Sequence, residues 1–131
     1  MSTKPVNFVC RLPWPPSVNH YYRAVKIGSH ARNILSKEAR AFGENVTHIL
    51  AGTIPFEPLA GRLAVEIILH APTRRKYDVD NRVKPVLDSL QHAGVVVDDE
   101  QFDELNAKRG DVSPRDGHAI ITIKEIKRQE Q

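Results

Sequence analysis

Five residues of this 131-residue sequence have types and spacing that permit chemistry: Asp78, Asp80, Lys84, Asp98 and Asp99. Two aspartates at i and i+2 of an extended chain project to the same side, so the carboxylates of Asp78 and Asp80 can approach one cation. Asp80 and Lys84 stand at i and i+4 of a predicted helix and are surface neighbours there. The run Val95-Val96-Val97, read as a short buried strand or a core-entering run, can return Asp98 or Asp99 to the same end. Three converging carboxylates carry a negative charge that a hard divalent cation such as Mg²⁺ relieves through oxygen ligands, while keeping waters for chemistry. The basic run Arg74-Arg75-Lys76 lies just upstream, which makes this a candidate phosphate-handling metal site. Such a site suits phosphodiester hydrolysis. The metal orients and acidifies a water for in-line attack, and Lys84 adds a point charge toward the developing negative charge. An exposed lysine is protonated at neutral pH, so Lys84 is not a general base.

Each residue taken alone also has a structural reading. Asp80 is a sound N-cap for the following helix, with Asp78 in solvent. Asp98 followed by Gln101 has the form of a capping box, so one of the two adjacent aspartates is structural. A lone Lys84 is a solvated surface lysine. The chemical reading rests on the combination.

These residues need elements to position them. Residues 6–12 alternate, with Val6, Phe8, Cys10 and Leu12 on one side, and predict a strand that the Pro13-Trp14-Pro15-Pro16-Ser17 run must end. Residues 19–30 read as an extended polar-aromatic loop or a short hairpin. Ser36 is a candidate N-cap for a helix whose apolar positions are Ala39, Phe42, Val46, Ile49 and Leu50, and Gly52 is its stop. Residues 52–58 are loop. Residues 62–70 are the clearest strand, with Leu63, Val65, Ile67 and Leu69 on one face. A second helix carries Val83, Val86, Leu87 and Leu90 at helical spacing, with Pro85 predicting a kink or a distorted first turn, and Gly94 closes it. Residues 104–109 form a further strand with Leu105 and Ala107 inward. Residues 113–117 are a turn, residues 119–126 a last strand, and residues 127–131 a frayed polar tail. Together these predict a single α+β domain over residues 1–131: a mixed sheet of about four or five strands packed with two main helices.

Composition narrows the classes. Hydrophobic residues make up 40% and charged residues 27%, which excludes a chain disordered throughout. No apolar run approaches the ~20 residues that span a bilayer, so no membrane role is expected. One cysteine, Cys10, rules out an intrachain disulfide framework, and the six histidines include no closely spaced ligand pair. The opening residues lack the apolar stretch of a secretory signal, which points to the cytoplasm. Net charge is +3, unevenly spread: +5 over residues 1–50, −2 over 51–100 and zero thereafter. A basic first third beside an acid-rich middle suits a protein that holds a polyanion on one surface and metal on another.

The motifs now assemble into a resemblance. Residues 12–23 (LPWPPSVNHYYR), residues 78–90 (DVDNRVKPVLDSL) and residues 94–101 (GVVVDDEQ) resemble, in order and spacing, the three signature stretches of the RusA family of Holliday junction resolvases, the crossover junction endodeoxyribonucleases. The set spans most of the chain. The resemblance implies a Mg²⁺-dependent homodimeric endonuclease, with Mn²⁺ able to substitute, that cuts four-way DNA junctions symmetrically in recombination and repair. It implies metal-binding catalytic carboxylates at Asp78, Asp80 and Asp99 and an essential lysine at Lys84, with no departure at a catalytic position. Asp98 matches an adjacent aspartate, and Pro85 a variation the family tolerates. A bacterial, phage or prophage source is consistent with it. Arg23, Lys26, Arg32, Arg74, Arg75 and Lys76 are the candidates for phosphate contacts with branched DNA, which basic residues bind without reading sequence. Trp14 is read as packing rather than base stacking, and Tyr21 and Tyr22 as either core or DNA contacts. Two other readings compete. One is a non-catalytic binder of branched DNA with a structural acidic cluster; the other is a nuclease acting on flaps, forks or RNA.

Overall fold

The computed structural model describes residues 6–53 and 57–126, with side chains from residue 8 onward. Strand β1 (Val6–Pro13) is followed by a 3₁₀ turn at Val18–His20 and by the hairpin strands β2 (Tyr22–Ile27) and β3 (His30–Leu35). Helix α1 (Lys37–Leu50) and strand β4 (Leu63–His70) come next. A 3₁₀ turn at Asp80–Arg82 then runs into helix α2 (Val83–His92). A third 3₁₀ turn, Asp99–Gln101, precedes β5 (Phe102–Arg109) and β6 (His118–Glu125). Four strands form one sheet in the order β1-β6-β4-β5, and among the described residues β2 pairs only with β3. Strand β4 is parallel to β5, while β1–β6 and β4–β6 are antiparallel. The fold is therefore α+β with a mixed sheet and two helices, as predicted. The hairpin read as a loop or short hairpin extends through residue 35, and it takes the strands among the described residues to six.

The physical basis is alternation on the sheet and a stripe on each helix. Leu63, Val65, Ile67 and Leu69 of β4 are buried, and the residues between them are only partly covered. On β6, Ala119, Ile121 and Ile123 are buried in the same way. Phe8 and Leu12 of β1, Phe42, Val46 and Leu50 of α1, and Val86 and Leu90 of α2 complete one contiguous core against that face. Ser36 caps α1 as expected: its hydroxyl accepts a hydrogen bond from the Ala39 N–H at 3.1 Å. Beyond α1, Gly52 takes φ +85°, a left-handed conformation that costs glycine little.

Because β6 lies between β1 and β4 and Ile121 is 0% exposed, truncating it leaves a cavity that neighbouring strands cannot collapse into. Ile121→Ala is expected to cost about 2–5 kcal/mol in urea denaturation. A loss below about 1 kcal/mol would show that this strand is not at the centre of the core.

Several local expectations are corrected. Pro13 remains paired, opposite His118, because a strand end on a sheet edge loses little without an N–H donor. Ile49 is 47% exposed, on the flank of α1 rather than its buried stripe. Leu105 stands beside buried Val65 in register, yet it is 51% exposed because β5 is the edge strand. Val95 and Val96 are buried, with Val96 bridging Leu59, but Val97 is 64% exposed. Of the two readings of this run, the core-entering one therefore holds and the buried strand does not. The predicted tail, residues 127–131, and residues 54–56 of the predicted loop lie outside the described residues.

Candidate active site

Parallel strands cannot be joined by a tight turn; they need a crossover. Residues 71–101 are the crossover between β4 and β5, and every acidic residue singled out from the sequence lies on it. Asp78 and Asp80 stand at its entry to α2, Lys84 on the helix, and Asp98 and Asp99 at its exit.

At the entry the local conformation differs from expectation. Val79 has φ −59° and ψ −44°, so Asp78-Val79-Asp80 is not extended and the alternation argument does not apply. Asp80 is not an N-cap. It begins the 3₁₀ turn, no side chain caps that turn or α2, and α2 starts at Val83. The cause is Pro85. Helix beginning at Asp80 would need an N–H at Pro85; with α2 beginning at Val83, Pro85 is its third residue, where no N–H is required. The 3₁₀ turn absorbs the distortion that Pro85 predicted. It also leaves Asp80 exposed with its carboxylate free of any capping bond, and Asp78 is exposed too, receiving a long bond from the Asn81 amide at 3.4 Å.

At the exit the expected capping box is present. The Asp98 carboxylate accepts from the Glu100 N–H at 2.9 Å, and Gln101 Oε1 accepts from the Asp98 N–H at 2.9 Å. Gln101 is buried and latches the loop further, donating from Nε2 to the carbonyls of Leu59 and Gly61 at 2.9 and 3.0 Å. Asp98 is thus the structural member of the pair. The Asp99 N–H donates to Gln91 Oε1 on α2 at 3.0 Å, which ties the exit to the helix.

That tie brings Asp99 within electrostatic reach of Lys84 and of Asp88, one turn further along α2. Partial desolvation, a hydrogen bond with Asp98 and the charges of Asp88 and Asp98 push the Asp99 carboxyl above its ordinary range, against the pull of Lys84. For Lys84, partial burial lowers its affinity for a proton, but Asp88, Tyr22 and Asp99 outweigh it and raise the ammonium above its usual value. Lys84 is therefore a charged lysine at any physiological pH. Asp88 lay inside the second motif without a role. It contacts Lys84 Nζ at 3.4 Å and accepts a hydrogen bond from the Tyr21 hydroxyl at 2.7 Å. The sequence signal for the first contact was its i+4 spacing from Lys84; the second spans 67 residues and had none.

Tyr21 is 5% exposed and belongs to the core, whereas Tyr22 is 44% exposed. Trp14 packs, as expected: its ring meets Tyr77 edge-on at 5.1 Å, and the Arg82 guanidinium sits 5.1 Å above it. Arg82 also donates to the Pro15 carbonyl at 2.7 Å, fastening the proline-rich loop to the Asp78–Asp80 turn.

The candidate phosphate contacts fall on two exposed segments. Arg74, Arg75 and Lys76 lie on the loop between β4 and Asp78. On the hairpin, Val25 pairs with Arg32 and Arg23 with Ile34, which puts Arg23 and Arg32 on one face of the ribbon and Lys26 on the other. Several other surface cations are paired: Arg62 with Glu100 and Asp103, Arg11 with Asp116, Lys108 with Glu66. Among the described residues, none of the six candidates has such a partner.

Against known proteins, the family model described as Endodeoxyribonuclease RusA matches residues 13–124. The chain belongs to the RusA family. A RusA relative from Enterobacteria phage 82, named crossover junction endodeoxyribonuclease, is 36% identical over 115 residues, covering 88% of this chain and 92% of the relative. The relative of the same name from Shigella sonnei (strain Ss046) matches equally, and that of Escherichia coli (strain K12) is 35% identical over the same length. The match to the RusA family thus includes the whole crossover and both basic segments.

The donors suit a hard cation. Carboxylates stand at both ends of α2, and the Asp99 carboxyl is raised first by desolvation and then by its hydrogen bond with Asp98 and the charges of Asp88 and Asp98. Among the described residues no three aspartate, glutamate, histidine or cysteine side chains are grouped so as to hold a metal ion by themselves. An open carboxylate set fits Mg²⁺, which is held by one or two carboxylates together with waters and substrate phosphates.

Proposed function

We propose that this protein is a Mg²⁺-dependent, structure-selective endodeoxyribonuclease that resolves four-way DNA junctions by symmetric phosphodiester hydrolysis. The observation that carries this reading is kinship over nearly the full length of both chains to proteins named crossover junction endodeoxyribonucleases. The geometry supports it. A pure binder gains nothing from exposed carboxylates at Asp78 and Asp80 beside a basic run, because they repel the phosphates that Arg74, Arg75 and Lys76 attract.

In the mechanism, the loop cations and the hairpin take the phosphate backbone by charge and shape. Asp78, Asp80 and Asp99 would hold Mg²⁺, which when bound acidifies a water and neutralises phosphate charge. The Lys84 ammonium stays protonated and supplies positive charge toward the oxygens that gain electrons at phosphorus. Gln101 and Gln91 hold the Asp98–Asp99 loop in place, so the carboxylates need little reorganisation. Two copies in a two-fold homodimer would place one such site on each of two opposed strands of a junction, itself approximately two-fold. Mn²⁺, also an oxygen-seeking cation, would substitute. Among the described residues no helix is long and apolar enough to cross a membrane, and a DNA substrate assigns the protein to the cytoplasm of a bacterium or a phage-infected cell.

The test compares a synthetic four-way junction, a flap and a linear duplex, each with Mg²⁺ and with a chelator. Paired nicks in the junction that need Mg²⁺ are expected. Equal cutting of linear duplex would overturn structure selectivity, preference for flaps would reassign the substrate, and undiminished cutting under chelation would overturn metal dependence. Light scattering of the junction complex addresses the dimer, and a strict monomer on DNA would sink the paired-cut mechanism.

A further inference from the structure

Asp88 is held more firmly than a surface aspartate. Its Oδ2 accepts from the Tyr21 hydroxyl at 2.7 Å, and Tyr21 is itself fixed. The Tyr21 carbonyl accepts from the Ser36 N–H at 2.8 Å, and its ring meets Tyr22 edge-on at 4.9 Å. Tyr21 is also buried, so its hydroxyl is held beside the carboxylate and donates to one of its oxygens. That carboxylate faces Lys84, with Nζ at 3.4 and 3.5 Å from its two oxygens.

Fold stability does not account for the arrangement. The Lys84 and Asp88 side chains are 50% and 28% exposed, and such pairs contribute about 0–1 kcal/mol. Asp88 even adds to the negative charge that works against ionisation of Asp99. Its effect on Lys84 is different. Asp88 and Asp99 are the two carboxylates whose charges act on that ammonium, yet among the described residues Lys84 forms an ion pair within 4.0 Å only with Asp88. Without Asp88, the Coulomb attraction would favour closure of Lys84 onto Asp99, cancelling a carboxylate that the nuclease needs.

We propose that Asp88, oriented by the Tyr21 hydroxyl, is a positioning residue that holds the Lys84 ammonium beside Asp99 and prevents it from closing onto that carboxylate. This rests on the nuclease reading above. Asp88 touches neither substrate nor metal in this role; it acts through Lys84.

The experiment uses the full chain and a synthetic four-way junction, with single-turnover cleavage and junction affinity measured separately. Asp88→Asn keeps the size and an acceptor for Tyr21 but removes the charge. It is expected to slow cleavage about 10–100-fold, with junction affinity changed less than about twofold. Tyr21→Phe frees the carboxylate and is expected to act in the same direction, about 3–10-fold. In a Lys84→Ala background, Asp88→Asn should add less than about twofold, because the residue it positions is gone. A readout free of DNA and metal is the side-chain order of the Lys84 ammonium by NMR relaxation, expected to fall in Asp88→Asn. If the parent protein cuts and Asp88→Asn cuts as fast, or if its loss simply multiplies with that of Lys84→Ala, the positioning role is wrong. If the parent protein cuts no branched DNA, the nuclease reading itself fails, and the role built on it fails too.

Discussion

Asp80→Asn is expected to slow Mg²⁺-dependent junction cleavage by about a thousandfold, equivalent to about 4 kcal/mol of barrier. Junction binding should be retained or improved. The expectation is clean because Asp80 has no structural duty that the substitution would disturb. It is exposed, it caps neither the 3₁₀ turn nor α2, and asparagine has nearly its size. Loss of activity would therefore report on the carboxylate charge and not on folding. Removing a negative charge near the Arg74-Arg75-Lys76 run also lessens repulsion of phosphate, which is why affinity should not fall. Cleavage at the parent rate would remove Asp80 from the metal site, and the Asp78–Asp80 turn would lose its role in holding Mg²⁺. A matching loss of binding would recast this turn as part of the DNA-docking surface.

Raising salt from about 50 to about 200 mM should weaken junction binding by about a thousandfold if all six candidate cations contact phosphates, because each contact releases bound counterions. Among the described residues these six cations have no acidic partner, which makes the estimate meaningful, since a cation already neutralised within the protein would release fewer. Replacing Arg74, Arg75 and Lys76 together by alanine should reduce the slope of log affinity against log salt by about three. The hairpin should contribute less than its three cations suggest, because Lys26 faces away from Arg23 and Arg32 and a single DNA surface cannot readily meet both faces. A flat salt response in the parent protein would count against binding through these segments. An unchanged slope in the triple variant would move the contacts elsewhere on the surface.

What could be read directly from sequence was what short windows of chain decide. The alternation in residues 62–70, the Ser36 cap and the Asp98–Gln101 box all depend on partners within four residues, and each is present in the fold. Family membership was legible for a related reason: the motifs preserve local order and residue type, and the match across residues 13–124 bears it out. Failures of the local reading occurred where a residue's fate depends on what covers it. Leu105 obeys the period of its strand but lies on the edge strand, and Ile49 obeys the helical spacing but sits at the margin of the stripe. Asp80 looked like a cap until Pro85 shifted the start of α2.

By itself, then, the sequence determined the residue types of the candidate site, the two helices and the family, because these follow from side-chain chemistry and from contacts a few residues apart. Tertiary structure alone decided the strand order β1-β6-β4-β5, the separation of Arg23 and Arg32 from Lys26, and the hold of Tyr21 on Asp88. Those depend on contacts between segments far apart along the chain. Such contacts form only when burial of the shared core brings the segments together, so no local pattern encodes them.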